Sequence, residues 1–132
     1  MGKGRSKLKG YNEYESTGEY IDGFKVIEKI GGGPSSLPRF SNSPDTVYIL
    51  KSNGVYKSLG IYNEHRELTK QIDIRHGHVN KTKKGKREKL VKGVAHVHNI
   101  RGGRLNNVRY MTDKEIKKYG KAITLMGGRT KR

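Results

Sequence analysis

"TVYILKSNGVYKSLGIY", residues 46–62, is the stretch on which the fold turns. "TVYIL" has the β-branched and aromatic make-up of a strand, "KSNG" carries the hairpin pair Asn53-Gly54, and "VYKSLGIY" returns. Asn-Gly suits such a turn because both central residues take positive φ, which Gly accepts freely and Asn at small cost. Downstream, "NEHRE" (63–67) reads as a second turn and "LTKQIDI" (68–74) as a third strand with Leu68, Ile72 and Ile74 on one face. "VAHVHNI" (94–100) makes a fourth strand, and "RGGRLNN" (101–107) a loop. "TDKEIKKYGKAITLM" (112–126) reads as a helix opened by a Thr112/Glu115 capping box and weakened by Gly120, by about 1 kcal/mol relative to Ala. The expected fold class is α+β: a small antiparallel β-meander of about four strands, with one C-terminal helix and flexible basic termini.

Upstream the texture is different. "GGGPSSLPRFSNSP" (31–44) is dense in Gly, Pro and Ser and reads as a loop or linker. "YNEYESTGEYIDGFKVIEKI" (11–30) holds five of the twelve acids, and its "FKVIEKI" is a short strand or a helical turn. "MGKGRSKLKG" (1–10) reads as a basic, flexible arm. The expected division is therefore 1–44 as N-terminal extension and linker, 45–126 as the folded domain, and 127–132 as a basic tail.

Twenty-nine Lys and Arg against twelve Asp and Glu give a formal charge of +17. A charge of that size repels itself in a compact fold unless a polyanion balances it, which makes nucleic acid, RNA or DNA, the expected partner. A membrane surface is not expected, since there is no Trp and no basic amphipathic helix of useful length. No apolar run is long enough for a signal peptide or a membrane span, so the expected location is cytoplasmic or on a virion. Absence of Cys excludes disulfides and thiolate metal sites. The phosphate contacts are assigned to the loop "NKTKKGKREKLVKG" (80–93), through Lys81, Lys83, Lys84, Lys86, Arg87 and Lys89, and to Arg101 and Arg104. The glycine runs "GGG" (31–33) and "RGGR" (101–104) lack the strand–turn–helix setting of a mononucleotide loop.

Four of the five histidines form two His-x-His pairs, His76/His78 and His96/His98. Residues i and i+2 of a strand share a face, so four imidazoles can converge if the two strands pair. Asp73 falls on the opposite alternation from His76, close in sequence. Three readings stay open. Imidazole pairs can act as base and acid on a phosphodiester without metal, RNA supplying its own 2′-OH nucleophile. Four imidazoles can instead hold a divalent transition metal, the alternative to no cofactor at all. Or the histidines belong to a phosphate-binding surface. His65, between charged residues in a turn, is expected at the surface, and Tyr48, Tyr56 and Tyr62 in the core or at its rim.

The segment from Pro44-Asp45-Thr46 through the hairpin, "IDI" followed by His, and the closing "HVH" resembles a small domain of phage-associated proteins. It is similar, over residues 43–126, to C-terminal extensions of phage minor head proteins and to related bacterial toxin-like modules. The resemblance implies a phage or mobile-element setting, phage structural proteins as further partners, and nuclease activity as in toxin-like relatives. The chain departs from that pattern in its long lysine loop and after the last His, where members carry an aromatic or acidic residue and this chain has "NIRGG". Two functions are carried forward: a nucleic-acid-binding protein that contacts phosphate, and a small ribonuclease-like enzyme built on the paired histidines.

Overall fold

The computed structural model describes residues 13–74 and 93–131 in full, and the backbone of 78–81 and 87–90. The strands are β1 (Tyr14–Ile21), β2 (Phe24–Lys29), β3 (Val47–Ser52), β4 (Val55–Tyr62), β5 (Leu68–Asp73), β6 (His78–Lys81), β7 (Arg87–Leu90), β8 (His96–Arg101) and β9 (Arg104–Tyr110), followed by α1 (Asp113–Leu125). Seven strands form one sheet in the order β1-β2-β3-β4-β5-β8-β9, while β6 and β7 pair separately. Every neighbouring pair in the large sheet is antiparallel except β2 and β3, which run parallel.

The four-strand antiparallel meander is therefore corrected to a mixed seven-stranded sheet with a single helix. Two of the additional strands, β1 and β2, lie in the stretch that reads as extension, and a third, β9, lies in the stretch that reads as loop. Three of the four hairpins in the sheet use the same two-residue turn, and the fourth, β4–β5, turns through residues 63–67. Asp22-Gly23, Asn53-Gly54 and Gly102-Gly103 each place both central residues at positive φ, and the flanking residues pair directly.

The Gly/Pro/Ser stretch is a crossover. Parallel strands cannot be joined by a tight turn, so residues 30–46 leave β2, cross the sheet and enter β3. The backbone carbonyls of the crossover accept hydrogen bonds from Tyr14 Oη (at Ser36, 2.5 Å), Lys57 Nζ (at Ser35, 2.8 Å) and Tyr62 Oη (at Pro38, 2.6 Å). Leu37 packs directly on Gly60, where a Cβ would lie 2.9 Å from Leu37 Cδ1. That close approach explains a glycine inside a central strand.

One face of the sheet is covered by α1. Val26, Ile49, Leu59, Ile72 and Val97 form a register row across β2, β3, β4, β5 and β8. All five are fully buried, in one core cluster with Tyr119, Ala122, Ile123 and Met126. The Thr112/Glu115 capping box is present at the start of α1. The opposite face has a second cluster of Tyr14, Ile27, Leu37, Tyr48, Leu50, Tyr62 and Leu68. Simple alternation predicts that Leu68 shares a face with Ile72 and Ile74, and the structure differs. A bulge where β4 meets β5 pairs Tyr62 with Leu68 and Ile61 with Lys70, which turns Leu68 to the other side.

The flexible C-terminal tail is also corrected. The amide of Ala95 donates to the carbonyl of Arg129 at 2.6 Å, and that of Arg129 to Gly93 at 3.0 Å, so the tail forms a parallel bridge at Val94. Gly128 makes this docking possible, because a Cβ there would lie 2.9 Å from Ile74 Cγ2. The N-terminal arm, residues 1–10, lies outside the described residues. Among the described residues no helix is long and apolar enough to cross a membrane.

Candidate functional site

A second register row lies one residue along from the apolar one and so points to the opposite face: Ile27, Leu50, Ser58, Asp73 and His96. It is apolar on β2 and β3 and polar from β4 onward. Gln71 and His98 stand directly opposite each other on the same face of β5 and β8. The polar group is enclosed, with His96 at 0%, Ser58 at 1%, Asp73 at 3% and His98 at 6% exposure.

Its hydrogen bonds radiate from Asp73. The His98 ring presents Nε2 to Asp73 Oδ2 at 3.1 Å. Ser58 donates its hydroxyl to Oδ1, and Gln71 Nε2 donates to the same oxygen at 3.0 Å. Burial pushes the Asp73 carboxyl toward the neutral form, but the hydrogen bonds from His98, Ser58 and Gln71 outweigh it and hold the pKa below its ordinary value. His96 lies edge-on to His98, with ring centroids 5.5 Å apart, and its Nδ1 is 3.3 Å from the carbonyl oxygen of Val94. Asp73, His96 and His98 each bring one donor atom to a common point, all within 4.8 Å of one another.

The four-imidazole site is thus described for one of its pairs. His96 and His98 share a face and meet; the residue that joins them is Asp73. His76 lies outside the described residues, and His78 starts β6, paired with Leu90, with only its backbone described. The signal for Asp73 is antiparallel register: β5 and β8 pair Asp73 with His96, which brings the acid onto the histidines' face. Counting along β5 alone puts it on the wrong side.

The expected phosphate contacts divide in the same way. Arg101 and Arg104 flank the exposed Gly102-Gly103 turn, and Arg101 lines a cleft of about 220 Å³ together with exposed Arg39. Lys83, Lys84 and Lys86 fall outside the described residues, and Lys81, Arg87 and Lys89 lie on β6 and β7, whose side chains are not described. The structure adds a basic feature that composition alone does not single out. Lys114, Lys117, Lys118 and Lys121 are all exposed on α1 at the i, i+3, i+4, i+7 spacing of one helical face. Among the described residues only Lys121 of the four approaches an acid, Asp22, at 3.9 Å. The spacing is visible in "DKEIKKYGK" once the helix is assigned.

Glu115, on the inner side of the same helix, has a different environment. Arg109 binds it through both guanidinium nitrogens at 2.7 and 3.0 Å, the Thr112 amide donates to it at 2.9 Å, and Lys70 Nζ at 2.9 Å. Arg109 foremost, with Thr112 and Lys70 adding and burial opposing, holds the Glu115 carboxyl far below the usual carboxylate range. Tyr48 and Tyr62 are buried against each other, Tyr56 is half-buried and donates to Glu19 at 2.6 Å, and His65 is exposed.

Compared with protein-family models, with curated proteins and with solved structures, the chain gives no match.

Proposed function

We propose that this chain binds nucleic acid by contact with the phosphate backbone. The observation that carries the reading is the exposed lysine row of α1, set in a chain of formal charge +17. Rows of this kind meet a polyanion with no rearrangement, and each neutralised phosphate releases counterion. Arg39, Arg101 and Arg104 add a second basic surface at the β8–β9 turn. The lysine-rich segment 81–89 supplies further positive charge of the same sign. A phage or mobile-element setting, with phage structural proteins as additional partners and a cytoplasmic or virion location, rests on the resemblance of residues 43–126 alone.

A ribonuclease-like activity is the second reading, and one observation favours it. Asp73 faces His98 at 3.1 Å, the carboxylate–imidazole arrangement that orients a general base. Burial opposes it: with His96 and His98 enclosed, a phosphodiester reaches neither unless the cover over that face opens.

One experiment separates the two. Purified protein is incubated with labelled single-stranded RNA and duplex DNA, with and without chelator, and both retention and chain length are followed. Salt-sensitive retention of intact strands is the expected result. Cleavage of RNA that disappears in His98→Ala would establish the enzyme, and absence of any retention at low salt would remove both readings.

A further inference from the structure

The buried polar row has no part in a surface reading of phosphate, yet its cost in desolvation is high. We infer that Asp73, His96 and His98 form a binding site for a divalent first-row transition ion, zinc fitting best. The inference is independent of nucleic-acid binding. It stands on three geometric features.

The first is convergence. The three donor atoms lie within 4.8 Å of one another. A four-coordinate zinc ion with bonds of about 2.0–2.2 Å needs its donors roughly 3.3–3.5 Å apart. Asp73 Oδ2 and His98 Nε2 are already at 3.1 Å, so the remaining closure is the approach of the His96 donor from within 4.8 Å.

The second is orientation of two of the donors by neighbours. A carbonyl oxygen only accepts, so the approach at 3.3 Å makes His96 Nδ1 the proton carrier, donating to Val94, and leaves Nε2 as the metal-binding nitrogen. A ligating histidine typically donates its other nitrogen to a carbonyl or carboxylate in this way. Asp73 is held by Ser58 on Oδ1 and by Gln71 Nε2, at 3.0 Å from Oδ1 and 3.3 Å from Oδ2, while Oδ2 faces His98. Ion binding would take the place of the direct Oδ2–Nε2 contact.

The third is the donor set. Two imidazoles and one carboxylate match the three-ligand pattern of zinc sites that keep a fourth position for water or another ligand. The set has no thiolate, consistent with a chain without Cys. Calcium and magnesium are disfavoured, since both require mostly oxygen donors.

The test uses the full chain, stripped by chelator and dialysed, then titrated with Zn²⁺ by calorimetry and with Co²⁺ by visible absorption. One equivalent is expected, with the strong ligand-field absorption of four-coordinate Co²⁺. In the imidazole ¹H–¹⁵N spectrum Zn²⁺ should move the His96 and His98 signals and leave His65 in place. A His65→Ala/His76→Ala/His78→Ala variant retains the three donors and should bind as the wild type does. His96→Ala leaves the Asp73–His98 pair intact and should weaken binding by ~100-fold or more, and Ser58→Ala by about tenfold. Loss of binding in the triple variant, no saturable binding by wild type, or His96 and His98 signals unmoved at saturating Zn²⁺ would overturn the inference. Should His96→Ala fail to fold, the wild-type imidazole spectrum decides alone.

Discussion

The lysine row of α1 and the row Ser58–Asp73–His96 with His98 are both polar, both set by secondary-structure periodicity, and opposite in every other respect. Lys114, Lys117, Lys118 and Lys121 point outward and are exposed. Ser58, Asp73, His96 and His98 point inward, at 6% exposure or less, and depend on one another for their hydrogen bonds. The difference separates two roles. Residues of the outer row can be removed with little effect on folding, because they are exposed and their contacts are peripheral (Lys118 Nζ 5.8 Å from the Tyr119 ring centroid, Lys121 Nζ 3.9 Å from Asp22), and the main loss must appear in binding. Residues of the inner row cannot be removed without leaving a buried partner unsatisfied, so their loss must appear in stability first.

The largest effect that would break this contrast belongs to the inner row. Asp73→Ala leaves His98 buried without its carboxylate and is expected to cost about 3 kcal/mol in urea unfolding. The folded fraction should still bind RNA as the wild type does. A variant of unchanged stability would mean that the buried row is solvated, and the comparison would fail.

Glu115 sharpens the contrast by offering a buried carboxylate whose partners are permanent cations. Its pKa is depressed in the folded state, so its contribution is present above the unfolded value of about 4.3 and is lost as pH falls below it. Glu115→Gln is expected to cost about 2 kcal/mol at pH 7, a figure reduced for screening because Lys70 and Arg109 are 39% and 34% exposed. The same change should flatten the fall in stability between about pH 5 and pH 2. An acid limb as steep as that of the wild type would place the depressed carboxylate elsewhere.

Gly60 gives a smaller effect on the face of the inner row. Gly60→Ala drives a methyl group against Leu37 and Leu68, whose side-chain carbons would lie 2.9–3.1 Å away, and should cost about 1–2 kcal/mol. Stabilisation by this change would show that the crossover is free to lift.

Much of the fold is legible in the sequence, and the points of difference share physical causes. Asn53-Gly54 stands out as a hairpin turn because strand-like residues flank it on both sides, while Asp22-Gly23 follows β1, most of which is polar and not buried, and Gly102-Gly103 precedes β9, which has no buried member. β9 runs Arg104, Leu105, Asn106, Asn107 with no buried member, so its pairing with β8 is carried by the backbone and leaves little hydrophobic pattern to detect. The parallel pairing of β2 with β3 needs a crossover, and a stretch rich in Gly, Pro and Ser reads as a linker whether it spans solvent or a sheet. At the site, the same-face placement of His96 and His98 follows from period two alone. Asp73 joins them only through register between strands, which no single-strand pattern contains.

Nucleic-acid binding by the outer row is the central claim, and salt dependence tests it most directly. Affinity for a labelled RNA is measured across a range of salt for the wild type and for Lys114→Ala/Lys117→Ala/Lys118→Ala/Lys121→Ala. The account predicts binding that weakens steeply with salt in the wild type. In the variant the slope of log K against log salt should be shallower by about 3, close to one unit for each phosphate that is no longer neutralised, with urea unfolding unchanged. Identical slopes in two equally folded proteins would contradict it.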